Sequence, residues 1–274
     1  MLFGHDMRLI HFNRLLFKVA STAITIYIFI VFSYKPVMAA NIAAFGDSIT
    51  EGIGSTTGGY PPKLAVSLNL NSNGTHVVDN HGKAGEATAW GNGRIHSVLE
   101  SNSYQYILIL EGTNDIFFGL SLESTQYYLE AMINKAKELY DVSPLIATLL
   151  PDTRQTSPAN KKNIETTYNP LIAKIASELN VPLVDLHSAV ARDWGVLNYD
   201  QQHPNDAGYQ VVADTWFPPL KSLIEEEENN NDEEEDENED SDENEDSDEN
   251  VDSGGSSGGC FIDTVLINLD NVIR

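Results

Sequence analysis

Ala44-Phe45-Gly46-Asp47-Ser48-Ile49-Thr50-Glu51-Gly52 is the stretch whose reading decides the fold. The residues leading into it, Asn41-Ile42-Ala43-Ala44-Phe45, read as a short buried strand. Gly52, Gly54, Gly58 and Gly59 follow, then the helix-like Pro61-Pro62-Lys63-Leu64-Ala65-Val66-Ser67-Leu68. A small polar segment therefore sits at the carboxyl end of a strand, where open α/β sheets bind ligands. Ser48 is the candidate nucleophile.

Outward from this segment, residues 41–224 alternate short apolar runs with helical patterns. Strands are expected at 42–45, 76–80, 106–110, 145–149 and 182–186, each apolar enough to be covered on both faces. Helices are expected at about 61–70, 87–100, 123–140, 162–179 and 206–224. Leu122, Met132, Ile133, Ala136 and Leu139 carry the clearest helical spacing. Pro170 should interrupt or restart the fourth helix, with Asn169 as its cap, and Pro218-Pro219 should break the last one. This alternation predicts an α/β fold, a parallel sheet with helices on both sides.

A serine hydroxyl needs a base, usually a histidine oriented by a carboxylate. Asp200-Gln201-Gln202-His203-Pro204 supplies both within one loop after the last strand. His203 is the candidate base and Asp200 its orienter. Oxyanion donors are expected from two further strand exits. Gly85 lies in Asn80-His81-Gly82-Lys83-Ala84-Gly85-Glu86, and Asn114 in Glu111-Gly112-Thr113-Asn114-Asp115.

Gly46-Asp47-Ser48-Ile49-Thr50, Gly85, Gly112-Thr113-Asn114-Asp115 and Asp200-Gln201-Gln202-His203-Pro204 resemble, in order and spacing, the four blocks of the SGNH hydrolases, the GDSL esterase/lipase family. The resemblance covers about residues 41–224. It implies a three-layer α/β/α, flavodoxin-like fold with about five parallel strands, and hydrolysis of carboxylic esters or thioesters. It also implies Ser48, Asp200 and His203 as the triad, with Ser48, Gly85 and Asn114 as the oxyanion hole. Ile49-Thr50 stands where the family name puts a leucine, a common variant.

Other readings of the same residues are blander. Gly46-Asp47-Ser48 could be a turn capping a helix. The glycines at 52–58 miss dinucleotide-loop spacing by one residue, and Thr50 stands where the nucleophile elbow of the α/β-hydrolases ends in glycine. His187 is the rival base, read as structural or at the cleft rim. His81 and His96 lack an orienting partner nearby in sequence. No His/Asp/Glu cluster has ligand spacing, so no metal and no cofactor are expected. Tyr127, Tyr128 and Leu129 read as core more than groove. Trp90 and Phe117-Phe118 follow the oxyanion segments and are candidates for acyl or sugar contacts.

The ends differ from the body. Arg8, Arg14 and Lys18 precede an almost uncharged, mostly apolar run at 19–34, and Val37-Met38-Ala39 offers a small-residue cleavage site. This is the pattern of a secretory signal peptide over 1–39, implying a periplasmic, cell-surface or secreted protein. The formal charge is −25, but residues 225–252 hold 19 acidic residues and no Lys or Arg; removing those charges leaves −6. Nucleic acid is therefore not an expected partner. Residues 225–259 read as an extended acidic linker ending in a Gly/Ser hinge. Gly258-Gly259-Cys260-Phe261-Ile262 resembles a CFI-box segment, a candidate sorting signal and surface attachment over 260–274. The single cysteine rules out an intramolecular disulfide. A monomer is expected. The substrate is expected to be a lipid-like or small ester, with O-acetyl groups on polysaccharide as the alternative and a non-catalytic carbohydrate-binding module as the runner-up.

Overall fold

Five parallel strands form one sheet in the order β2-β1-β3-β4-β5: β1 (Asn41–Gly46), β2 (Val77–Gly82), β3 (Tyr106–Leu110), β4 (Ser143–Ala147) and β5 (Leu183–Val184). The computed structural model describes residues 39–72, 74–154 and 163–239, with side chains of the last helix as far as Glu227. The segments expected as signal peptide and Gly/Ser hinge, and the Cys260 segment, lie outside the described residues. The sheet belongs to the unit Met1–Asn231; of the second unit, Asp232–Arg274, only helical backbone to Glu239 is described.

The helices are α1 (Ser48–Glu51), α2 (Pro61–Asn71), α3 (Thr88–Leu99), α4 (Thr113–Phe118), α5 (Leu122–Tyr140), α6 (Asn169–Glu178), α7 (Leu186–Ala191), α8 (Trp194–Leu197) and α9 (Asp206–Glu239). Right-handed crossovers send α2 to one face of the sheet and α3, α5 and α6 to the other. The rings of Tyr60, before α2, and Trp216, on α9, stack at 6.2 Å, which places α9 on the face of α2. The result is the three-layer arrangement. β1 and β3 are buried along nearly their whole length, so they form the centre of the core.

The structure departs from the sequence reading in particular places. β2 is an edge strand with half-exposed residues, not a strand covered on both faces. β5 keeps only two residues, because Asp185 leaves the sheet and caps α7 through the Ser188 amide at 3.1 Å. Four short helices at strand exits or between loops, α1, α4, α7 and α8, are too brief to show periodicity. Asn169 is not a helix cap. Its side-chain amide pairs with both backbone groups of Leu149, at 2.8 and 3.1 Å, as a neighbouring strand would. Before it, Ile164–Tyr168 winds as a π-helix. Leu139 is exposed, while Met132, Ile133 and Ala136 are buried.

Pro218-Pro219 does not break α9. Proline's fixed φ is helical, and what it removes is an amide donor. Burial of Trp216, Leu220 and Ile224 holds both sides of the pair to the core. The helix also runs on to Glu239, so the first part of the acidic stretch is helical rather than extended. Glutamate is a good helix former, and Ser222 donates to Glu226 one turn on at 3.1 Å.

Candidate active site

Ser48 is set by how β1 ends. The Asp47 carboxylate caps α1, accepting from the Ile49 amide at 2.9 Å, and Ser48 is the first residue of that helix. The helix closes on Gly52, whose φ of 100° is a left-handed conformation that glycine adopts without penalty. Two other glycines make room. A Cβ on Gly46 would stand 2.4 Å from the Leu110 carbonyl, and one on Gly82 would stand 1.9 Å from the Glu51 nitrogen. The end of β2 thus lies directly against α1 and leaves Ser48 only 7% exposed.

Asp200 and His203 arrive on the loop between α8 and α9. Tyr199 donates its amide to the His203 carbonyl at 2.7 Å, and the Asn205 side chain donates to the Val196 and Asn198 carbonyls. Beyond it Asp206, first residue of α9, accepts from Ser55 Oγ at 2.6 Å and from the Thr56 amide at 3.0 Å. The glycine-rich loop after Ser48 is thereby fastened to the segment that carries the histidine.

The outcome is a continuous relay. Ser48 Oγ lies 2.9 Å from His203 Nε2, and His203 Nδ1 lies 2.8 Å from Asp200 Oδ2. Asp200 Oδ1 also accepts from the backbone amides of His203, at 2.8 Å, and Gln202, at 3.1 Å. Burial pushes the Asp200 carboxyl upward, but bonds from the His203 amide, its ring and the Gln202 amide outweigh this and hold it below the ordinary carboxylate range. An ionised Asp200 fixes the proton on Nδ1. Nε2 is then left as an acceptor for the serine hydroxyl.

Gly85 and Asn114 line the same cleft, of about 250 Å³, with Ser48 and His203. Gly85 has φ 77°, and a Cβ there would meet nothing within 4 Å, so its backbone is open to an incoming group. Asn114 Nδ2 donates to the Glu86 carbonyl at 2.8 Å and to Asp47 Oδ2 at 3.2 Å. The five residues singled out from the sequence therefore come together at the exits of β1, β2 and β3 and in the final loop.

Behind the cleft is a group of buried carboxyls. Burial raises Asp47 to about 7, with Glu86 and Asp115 adding to the rise against the Ile49 hydrogen bond. Glu111 goes well above its ordinary value through burial and the nearby Asp47, Glu86 and Asp115; its two oxygens have no hydrogen-bond partner among the described residues. Asp115 accepts from the Thr88 amide and the Thr88 and Thr125 hydroxyls at 2.5–2.8 Å. Glu86 is clamped by Arg94, whose guanidinium lies 4.2 Å over the Phe45 ring.

The other histidines stand apart. His187 Nδ1 pairs with the Leu149 carbonyl at 3.0 Å. His81 and His96 do have partners: His81 Nε2 meets Tyr104 Oη at 2.7 Å, and His96 meets Tyr140 and, contrary to the sequence reading, the nearby Glu100, with Nε2 3.3 Å from Oε1. The tyrosines lie 23 and 44 residues away, beyond any local pattern, whereas Glu100 stands one helical turn from His96. Ile53, Ala84, Arg154 and Gln202 also line the cleft. Sequence reasoning did not single them out as lining; Arg154 follows β4, and the strand-exit rule applied there would have found it. Phe117 lines the cleft as well, with Phe118 and Trp90 beside it. Leu129 is buried, and Tyr127 is exposed to solvent.

A hydroxyl, an oriented imidazole and adjacent donors at strand ends define a hydrolase-type site on a flavodoxin-like sheet. The family model of the GDSL-like lipases and acylhydrolases matches residues 44–211, and the chain belongs to that family. By class it is a carboxylic ester hydrolase. The uncharacterized protein YpmR of Bacillus subtilis (strain 168) is 27% identical over 213 residues, covering 66% of this chain and 81% of its own length. The psychrotrophic esterase EstA of Pseudoalteromonas sp. shares the fold with a TM-score of 0.57 at 19% identity, over 68% of this chain and 98% of that one. Axe2, an acetyl xylan esterase of Geobacillus stearothermophilus, does so with a TM-score of 0.58 at 18% identity, over 67% and 95%.

Proposed function

We propose that this chain is an exported serine esterase that cleaves short-chain acyl esters through an acyl-enzyme on Ser48. The observation that carries the reading is the relay from Ser48 Oγ to His203 Nε2 to Asp200. His203 takes the serine proton as Oγ bonds to the ester carbonyl carbon. The imidazolium, stabilised by Asp200, then protonates the leaving alcohol oxygen as the ester C–O bond breaks. Water, deprotonated by the same Nε2, attacks the acyl-serine and releases the acid, returning the proton to Oγ.

The Ser48 and Gly85 amides and the Asn114 side chain are the donors to the oxyanion. Short acyl groups fit the cleft, whose volume of about 250 Å³ is below the 300–1,000 Å³ of sites that enclose drug-sized ligands. Export is supported by the three-part pattern of residues 1–39. The test is hydrolysis of p-nitrophenyl esters from acetate to decanoate by the purified chain. Wild type should prefer acetate to butyrate, and Ser48→Ala should lose at least about 10⁴ in kcat while keeping its circular dichroism. Retained turnover in that variant overturns the reading.

A further inference from the structure

We propose that Trp90, Phe117 and Phe118 form a sugar-binding shelf beside Ser48, so that the short acyl group removed is one carried on a pyranose ring. This rests on the serine-esterase reading and adds the alcohol half of the substrate to it.

On α4 the shelf inverts ordinary helix polarity. α4 buries Thr113, Asn114 and Asp115 and turns Phe117 and Phe118 outward, 58% and 47% exposed. α3 buries Thr88, Gly91, Ile95, Val98 and Leu99 and leaves Trp90, near its start, 58% exposed. The three rings are contiguous. Trp90 and Phe118 lie 5.4 Å apart at 63°, and Phe117 and Phe118 lie 5.3 Å apart at 74°. A contiguous exposed apolar patch on a soluble domain marks a binding surface. Phe117 also lines the cleft of Ser48, so the shelf is continuous with the reacting site.

The polar groups at its border choose the occupant. Arg154 lines the cleft, with its guanidinium 5.7 Å from the centre of the Phe117 ring. Asp152 accepts from Arg154 Nε at 3.0 Å and from Nη2 at 2.7 Å, and among the described residues nothing takes the Nη1 hydrogens of the fork. The Gln202 residue lines the same space. A pyranose presents an apolar C–H face to stack on open rings and hydroxyls around its edge to meet Arg154. A hydrocarbon chain would use the rings but would leave those donors facing apolar atoms, at a desolvation cost. The edge-to-face ring arrangement presents an open corrugated surface, while the small cleft takes the acyl group. In the reaction the sugar oxygen leaves with the proton carried by His203.

The chain supplies its own reporter. Of its three tryptophans, Trp194 and Trp216 are buried and Trp90 is exposed. Acetylated xylo- and cello-oligosaccharides titrated into the full-chain Ser48→Ala variant should shift tryptophan emission, and Ser48→Ala with Trp90→Phe should show no shift. In the active enzyme, Trp90→Ala and Phe118→Ala should each lower the ratio of kcat/KM for these sugar esters over kcat/KM for ethyl acetate. The expected loss is about five- to tenfold, through KM, as suits one aromatic contact. An unchanged ratio overturns the shelf, as does a loss seen with p-nitrophenyl decanoate over p-nitrophenyl acetate and not with sugar esters, which would assign it to an acyl chain. If Ser48→Ala kept full turnover, the esterase mechanism would fail, while the emission titration would still judge the shelf.

Discussion

Asn114 has both hydrogens of its side-chain amide engaged before any substrate arrives. One goes to the Glu86 carbonyl at 2.8 Å and the other to Asp47 Oδ2 at 3.2 Å. An oxyanion can take only the second, longer contact without disturbing the loop after β2. Asp47, raised to about 7 by burial, carries a proton for much of the time near neutrality and is then the weaker acceptor. Replacing Asn114 with Ala should lower kcat about 10²–10³-fold, as the loss of one oxyanion donor does, with little change in KM. A variant with unaltered kcat on p-nitrophenyl acetate would remove Asn114 from the oxyanion hole. At this scale the sequence was informative because reactive residues stand in short local blocks. Asp47 illustrates the limit. Its side chain was legible as a helix cap, yet its place against Asn114, 67 residues on, exists only after folding. The capping reading of Gly46-Asp47-Ser48 and the nucleophile reading prove compatible, since the cap is what presents the serine.

Elements position these residues by close approach at the sheet's carboxyl edge. α1 rests against the end of β2 because Gly82 has no side chain, and a Cβ there would lie 1.9 Å from the Glu51 nitrogen and 2.4 Å from the Thr50 carbonyl carbon. Gly82→Ala should therefore push α1 and Ser48 out of line, costing at least about 2–3 kcal/mol and most of the activity. Gly93 is the counterpart: it lies inside α3, and a Cβ there meets nothing within 4 Å. Gly93→Ala should stabilise by about 0.5–1 kcal/mol through helix propensity alone. Urea melts of both variants check the pair; a harmless Gly82→Ala would contradict the packing described. The long helix α5, the first turns of α9 and the strands β1 and β3 were legible in the sequence, whereas the passage of α9 through Pro218-Pro219 and on to Glu239 was not. The short helices at strand exits, the two-residue β5 and the strand-mimicking Asn169 were not, because each depends on partners distant in sequence.

For the molecule as a whole, buried carboxyls tie stability to pH. The folded chain holds a proton on Asp47 up to about 7, which the unfolded chain releases near 3.8. The folded state thus binds more protons between those values, and stability falls as pH rises through that window. Glu111, also raised, acts in the same sense, whereas Asp200, held low, loses its contribution only in acid. From Asp47 alone the loss between pH 5 and pH 8 is about 2–3 kcal/mol, or roughly 5 °C or more in Tm. Calorimetry at the two pH values should show this slope, flattened in Asp47→Asn; a flat wild-type profile would contradict the buried acid group. The central claim is that four segments spread over more than 150 residues make one reactive serine. Labelling the purified chain with a fluorophosphonate and mapping the adduct by mass spectrometry tests it most directly. The account predicts one adduct, on Ser48, with ester hydrolysis lost in proportion to labelling and both abolished in His203→Ala; an adduct elsewhere, or full hydrolysis by the labelled protein, would contradict it.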